Sequence, residues 1–549
     1  MNGTGLCAST LNVTAPQWQE PSRCMVVNLR CSAENRLRNG GEAMSGFKGT
    51  AMILDAHQLL VRLAPWVAAA VLGGCGGGYS SSGPAQVNST VSNLLSSVDA
   101  IGVGGAGLIS NDPTHQFLAL QANLKGGSAQ LRFSCAGCNI SVAAAGSTVG
   151  ANQYVTIPFA TLDSSSDATI TVTDNVSGAI ATYTLRARPV DHPPYTVGTN
   201  SNPEPGDLYL TPFDPQGFAA PYAYIVASDG SLKYYYRNRP GLEIHDFKKT
   251  IIPGGAIRYS FYDAADSAIR VMDAGFNLLT KVTALPFPDG NTYAVDLHDH
   301  VILDDGHYIL GVYAAKTVSN IPALPGQSLF VSGAGLQEIQ NGVAVFSWLS
   351  TDHPELYACS TSHNDFAANN GADYAHWNSV MVDADTNWIA SFKYLDAVLK
   401  IRRSDGAVTW ILGGPCDQFG LSATQKFSHQ HHARRAADGR LTVFDDNNAD
   451  GNSRALAFNL DEATKTLVTT NPALPGFAAF TSDAHASFNL GSAQLFADGK
   501  VLVGWGEFLG AASDVSEFDT ASGALSFQLT LHPSAYSNGY FSYRAQKFQ

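Results

Sequence analysis

Residues 427–447, FSHQHHARRAADGRLTVFDDN, put three imidazoles and two guanidiniums into one short run. His429, His431 and His432 stand beside Arg434 and Arg435, ahead of an Asp438-Gly439 turn and an apolar strand that ends at Asp445. Packing gives no reason for such a composition. It suits meeting an anion, and an imidazole also suits reacting with one, because its proton affinity lies near neutral pH. Two more histidines lie in comparable settings. His298, in Asp296-Leu297-His298-Asp299-His300, and His431 each stand seven residues before the Asp of an Asp-Gly turn, Asp305 and Asp438. His376, in DYAHWNS, stands nine before Asp385. Asp299 is open between orienting an imidazole and capping a turn. Alternate strand residues face opposite ways, so His431 alone, or His429 with His431, can point inward, along with at most one of the two arginines.

What has to position them is a repeated unit: an apolar strand, an Asp-Gly or Asp/Asn turn, and a second apolar strand. It occurs as IVASDGSLKYYY, VILDDGHYILGVY, VMVDADTNWIASF, RAADGRLTVFD and LFADGKVLVGW, with turns 53 to 80 residues apart. That interval holds a four-stranded sheet with loops. Residues 207–549 therefore predict a β-propeller, and their length divided by ~50–60 per blade gives six blades. Equivalent places on successive inner strands converge on the axis, which would bring His298, His376 and His431 to one end of the channel.

Upstream, residues 87–190 alternate Ser, Thr, Val and Ala runs with Gly, Asn and Asp, the pattern of a small antiparallel β-sandwich. The closing ATYTLRARP resembles the last strand of bacterial cadherin-like modules. Residues 191–206 carry Pro193, Pro194, Pro203 and Pro205 and predict an inter-domain linker. The fold class is thus all-β, a six-bladed propeller preceded by a small sandwich. Residues 52–75 read as a lipoprotein-type signal peptide. Their apolar run, Leu63–Leu72, is too short to span a membrane, and Leu72-Gly73-Gly74-Cys75 resembles a lipobox, with Cys75 as the lipidated thiol. Residues 76–86 form a tether and residues 1–51 an upstream extension without structural periodicity. The chain is expected to be exported, in the periplasm or at the cell surface, held to the membrane by its lipid only. Cys135 and Cys138 are expected to form a local disulfide.

The totals exclude several classes. Hydrophobic residues at 45% with 14% charged describe an ordered globular chain, and a net charge of −14 argues against nucleic acid as a partner. Eight cysteines without paired CxxC motifs give no structural zinc site. A metal-dependent hydrolase built on His298, His300, His429 and His431 is one alternative, though no HExxH-type motif is present. Asp446–Gly451 resembles the start of a calcium loop, but Ala457 stands where the bidentate acid belongs. A non-enzymatic binding propeller is the other alternative.

DYAHWNSVMVD (373–383), SFKYLDAVLKIRRSDGAVTWILGG (391–414), residues 427–447, LGSAQLFADGKVLVGWGE (490–507) and YRAQKF (543–548) together resemble the bacterial arylsulfate sulfotransferases. The resemblance implies an exported six-bladed propeller that moves a sulfuryl group from a phenolic sulfate ester to a phenolic acceptor. It implies no nucleotide sulfate donor, cofactor or metal. It makes His431 the nucleophile that carries the sulfuryl group as a sulfohistidine, with His298 and His376 binding its oxygens and one of them serving as acid and base. Asn378 would be a neutral donor to the same oxygens. The family's sulfate-clamping arginine falls at Lys393, a point charge without the bidentate fork. His432 stands where many relatives have Asp or Thr. Cys359 and Cys416 flank the His376 unit and are expected to pair if the chain is exported.

Overall fold

The computed structural model describes residues 95–549, apart from 102–107, 113–116, 121–127, 134–136, 151–152, 159–167, 179, 187–190, 369–370, 447–450, 471–473, 482–484 and 509–512. The upstream extension, the signal-type stretch with Cys75, the tether and Cys135 lie outside the described residues. Among those described, no helix is long and apolar enough to cross a membrane; the helices near the site are short 3-10 turns, such as Pro354–Cys359 and Lys393–Leu395.

The first part is a β-sandwich of a four-stranded and a five-stranded sheet, running from Leu95–Ile101 to Ile180–Arg186. Its core is the buried half of each alternating strand: Leu131, Val155, Ile157, Ile170, Val172, Tyr183 and Leu185. One pair, Phe117–Leu120 with Ile180–Arg186, is parallel. Cys138 is disulfide-bonded.

The rest forms six sheets of four or five strands, which we number as blades, and two short two-stranded ladders. Blade one takes Asp207–Phe213, Tyr222–Val226 and Leu232–Arg237, and its inner strand is the chain's last, Phe541–Phe548. Blade two opens with inner strand Ile244–Ile251, blade three with Val295–Asp304 and blade four with Trp377–Val382. Blade five opens with His431–Arg435 and blade six with Ser492–Leu495. Each inner strand contacts the next in this order, and Phe541–Phe548 contacts both Ser492–Leu495 and Ile244–Ile251, so the cycle returns to its start.

Two features depart from the expected layout. The segment 191–206 is not a linker. Tyr195–Asn200 pairs with Leu525–Leu531 as the outer strand of blade six, and Asp191 is held by Arg237 at 2.6 Å and the Tyr222 hydroxyl at 2.7 Å. Prolines are compatible with such an edge position, where no ladder hydrogen bond is lost. The repeat IVASDGSLKYYY is also out of phase with the others. Its turn joins the third and fourth strands of blade one, because that blade borrows its inner strand from the C-terminus. The true counterpart in blade two turns at Pro253-Gly254-Gly255, between Ile244–Ile251 and Ile257–Asp263.

Close packing between blades seats the site. Trp377 of blade four lies against Gly311 of blade three, where a Cβ would fall 1.6 Å from the indole ring. Only glycine fits there. Cys359 and Cys416 form a disulfide across the base of the segment that leads into His376.

Candidate active site

The inner strands of blades one to five are interrupted near their N-terminal ends. Pairing with the neighbouring strand slips between His245 and Lys248, between Val295 and His300, between Trp377 and Ser379, and between His431 and Arg434. In blade one it slips opposite Ser542–Ala545. Such bulges bend the strand and re-aim the side chains next to them. Asp246 and His432 within these bulges, and His376 just before one, adopt φ of +55°, +56° and +50°. The left-handed region costs an ordinary residue of order 1 kcal/mol, a strain that collects at functional positions.

His298, His376 and His431 are brought together as expected. The His298 and His376 rings cross edge to face at 5.1 Å between centroids, and the charges of both bear on His431. Each imidazole is oriented by its own carboxylate through Nδ1. His298 Nδ1 lies 2.6 Å from Asp296, His376 Nδ1 2.6 Å from Asp373, and His431 Nδ1 2.8 Å from Asp446. Tyr313 adds its hydroxyl 2.9 Å from His376 Nδ1. A Nδ1 turned toward a carboxylate leaves Nε2 for chemistry, the second-partner logic of acid-oriented histidines.

His431 is fully buried, and its Nε2 has no hydrogen-bond partner among the described residues. Burial, then the charges of Lys393, His298, His376 and Arg544, hold its imidazole well below the ordinary histidine range. The shift favours the neutral imidazole. Burial likewise drives the Asp446 carboxyl well above its usual range, with the Lys393 ammonium opposing that shift. Lys393 thus disfavours a charged imidazole and opposes protonation of the carboxyl; an ionised Asp446 accepts from Nδ1–H and leaves the lone pair on Nε2. Burial also lowers His376, with His298 and Lys393 adding to it and Asp373 opposing.

Lys393 begins a short 3-10 turn whose backbone is tied to the carbonyl of His376 at 2.7 Å. Its Nζ reaches Asn489 Oδ1 of the approach to blade six at 2.8 Å. Asn378, the expected substrate donor, is fully buried. Its amide donates to the backbone carbonyl of Gln430 at 2.7 Å, and its own carbonyl accepts from Arg544 at 2.5 Å. Asn378 therefore places the residue before His431, and its Oδ1 is buried without a partner.

Other members of the cluster point elsewhere. His432 turns away, toward the Ala493 carbonyl at 3.1 Å. His429 lies beside Tyr394, 5.9 Å between rings. Arg435 pairs with Asp383 and Glu462 outside the site. Arg434 reaches Asp299 at 2.6 Å, and Asp299 also takes Lys248 at 2.6 Å and the Val380 N–H at 2.9 Å. Asp299 thus neither orients an imidazole nor caps a turn. Burial opposes its ionisation, but Arg434, Lys248 and Arg544 outweigh it and hold the carboxyl well below its usual range. With Asp246 on Arg544 at 2.7 Å, these side chains form a buried ion network joining blades one, two, three and five. Removing one member of such a network leaves an uncompensated charge, a loss of about 3–5 kcal/mol.

Two residues, Asp446 and His245, were missed in the sequence. Asp446 read as a calcium-loop start. More telling is His245, whose setting Glu243-Ile244-His245-Asp246 parallels Asp296-Leu297-His298-Asp299. That acid–aliphatic–His–Asp repeat was the available signal.

The chain thus forms a six-bladed propeller with acid-oriented histidines gathered at the bulged ends of its inner strands. Residues 268–530 match the family model described as arylsulfotransferase (ASST). The match supports an aryl sulfotransferase enzyme acting on small aryl sulfates and phenols. No curated protein matches the chain. Similar solved structures include a Bacteroides caccae protein of unknown function, at 10% identity and TM-score 0.38 over 62% of this chain and 98% of that one. Virginiamycin B lyase from Staphylococcus aureus is similar at 11% identity and TM-score 0.29, over 63% and 90%. The fold rests on the strand pairing above, not on these likenesses.

Proposed function

We propose that the protein transfers a sulfuryl group from a phenolic sulfate ester to a phenol through a sulfated His431. The observation that carries this reading is the His431 ring itself: buried, neutral, fixed at Nδ1 by Asp446, and with Nε2 unpartnered. In the first step the Nε2 lone pair attacks sulfur while the bond from sulfur to the aryl oxygen breaks. In the second, the acceptor oxygen attacks the same sulfur and the electron pair returns to Nε2. His298 and His376 supply N–H donors and Lys393 a fixed charge to the sulfuryl oxygens, where charge grows in each transition state. Asn378 acts by holding the Gln430 backbone. The reading includes export of the chain, which the oxidised Cys359–Cys416 pair favours.

Incubation with p-nitrophenyl sulfate and phenol tests it. Wild-type protein is expected to release nitrophenol and form phenyl sulfate, and an intact protein heavier by one sulfuryl group is expected when the acceptor is omitted. Both signals vanish in His431→Ala. Nitrophenol release that survives in that variant would remove His431 from the mechanism.

A further inference from the structure

Blade two contributes a fourth histidine. His245 is 4% exposed, and neither ring nitrogen has a hydrogen-bond partner among the described residues. The one charge beside it on its own strand's approach is Glu243, 3.4 Å from Nε2. Buried polar atoms are nearly always paired, and an orphan costs ~1–3 kcal/mol; with Glu243 on the Nε2 side, the unpaired Nδ1 marks a place for a ligand. The ring lies edge to face with Tyr543 of blade one, 4.9 Å between centroids, and Tyr543 lies 5.8 Å from His298 on its other side. Phe213 covers the remaining flank at 5.7 Å. Tyr262, on the strand paired with it, and Asp296 of blade three are the other titratable groups that face this corner. The Tyr543 hydroxyl is engaged by Arg544 at 3.3 Å, so its ring forms a wall and leaves the imidazole as the reactive group.

The position matters as much as the residue. With six blades in a cycle, blade two stands three places from blade five in either direction, opposite His431. Displacement at sulfur is in line: the leaving oxygen departs on the side opposite the nucleophile. His298 and His376, on the intervening blades three and four, flank that axis and suit the equatorial oxygens. His245 stands on the blade at its far end.

We propose that His245, oriented by Glu243, is the catalytic acid and base for the phenolic oxygen. This rests on His431 being the nucleophile. As the bond from sulfur to the aryl oxygen breaks and the bond to His431 Nε2 forms, the protonated His245 imidazole gives its proton to the departing oxygen, and a phenol leaves. The neutral imidazole then takes the hydroxyl proton of the acceptor as its oxygen attacks sulfur, and is ready for the next turnover.

The test is a donor series from p-nitrophenyl sulfate to phenyl sulfate, whose leaving phenols span a wide range of acidity. A poor leaving group needs the acid and a good one does not. In His245→Gln, kcat/KM for phenyl sulfate is expected to fall about 10²–10³-fold, while that for p-nitrophenyl sulfate falls less than about 10-fold. Sulfation of His431 by p-nitrophenyl sulfate persists in this variant, which separates failure of this proposal from failure of the nucleophile assignment. Glu243→Gln keeps the imidazole and is expected to steepen the leaving-group dependence to a smaller degree, should the first variant fold poorly. An equal loss across the donor series in both variants overturns the proposal.

Discussion

At the scale of the residue, the site is a set of histidines each paired with an acid, and the pairing decides which pH matters. His431 is held neutral far below the ordinary histidine range, so its own protonation does not set the acid limb of activity. Asp446 does. It must be ionised to keep the Nδ1 proton, and burial lifts its carboxyl well above the usual range. As pH falls through that raised value, the carboxyl takes a proton, Nδ1 becomes its acceptor and Nε2 loses the lone pair. Activity is therefore expected to decline on the acid side with the titration of Asp446. In Asp446→Asn the amide oxygen still accepts from Nδ1 but cannot titrate, so that limb should disappear from the profile of kcat/KM, with the plateau lowered about 10²-fold or more for want of the negative charge. An unchanged acid limb in the variant would mean that another group governs it. His298, His376 and His431 were readable in the sequence because each stands seven or nine residues before an Asp of a turn. His245 was not, because its turn is Pro253-Gly254-Gly255 and carries no acid. Asn378 showed its place but not its use, since only the bulge at Trp377–Ser379 aims its amide at Gln430.

At the scale of the element, turn chemistry and strand alternation were enough to give six sheets, yet they leave two things unsaid. A strand's partner is invisible in its own residues. Tyr195–Asn200 alternates half-buried and exposed residues, and its prolines read as a spacer until Leu525–Leu531 is seen beside it. Bulges are equally silent, for they arise where two strands of unequal length are paired, and these set every site side chain. The disulfide belongs to this scale too. Cys359 ends one 3-10 turn and Cys416 follows blade four, 57 residues later, so the bond holds the approach to His376 against its blade. Closing a loop of that size restricts the unfolded chain by up to about 4 kcal/mol, and engineered losses run about 2–4 kcal/mol. Cys359→Ser with Cys416→Ser is expected to lower stability in urea by that amount, with kcat falling through displacement of His376. Thiol labelling of intact cells without reductant is expected to leave both cysteines unmodified, as in an oxidising compartment. Labelling of both would place the chain in a reducing one and sink the export reading.

At the scale of the molecule, the ring is fastened twice. The last strand enters blade one beside Asp207–Phe213, and a strand from just after the sandwich completes blade six. The second fastening has a titratable group beneath it. Asp514 is 5% exposed, accepts the Leu531 N–H at 2.7 Å, and lends its own N–H to the Leu529 carbonyl. Leu531 is the residue opposite Tyr195 in the fastening pair. Burial is the main cause that pushes the Asp514 carboxyl from 3.8 up to about 7, with the backbone N–H bonds opposing it. A carboxyl raised on folding keeps its proton in the native state where the unfolded chain has lost it. Its contribution is thus fully present below about pH 4 and is lost as pH rises to about 7. About three pH units correspond to roughly 4 kcal/mol in order of magnitude. The buried Asp299 has the opposite sign, so the profile of the whole protein mixes the two. The difference between wild type and one variant does not. Asp514→Asn keeps an acceptor for Leu531 and carries no charge at any pH. Its unfolding free energy is expected to match wild type near pH 4 and to exceed it by up to about 4 kcal/mol at pH 8, with the gap opening between those values. A gap that stays constant with pH would show that Asp514 is not protonated in the closed ring, and that the fastening is made without it.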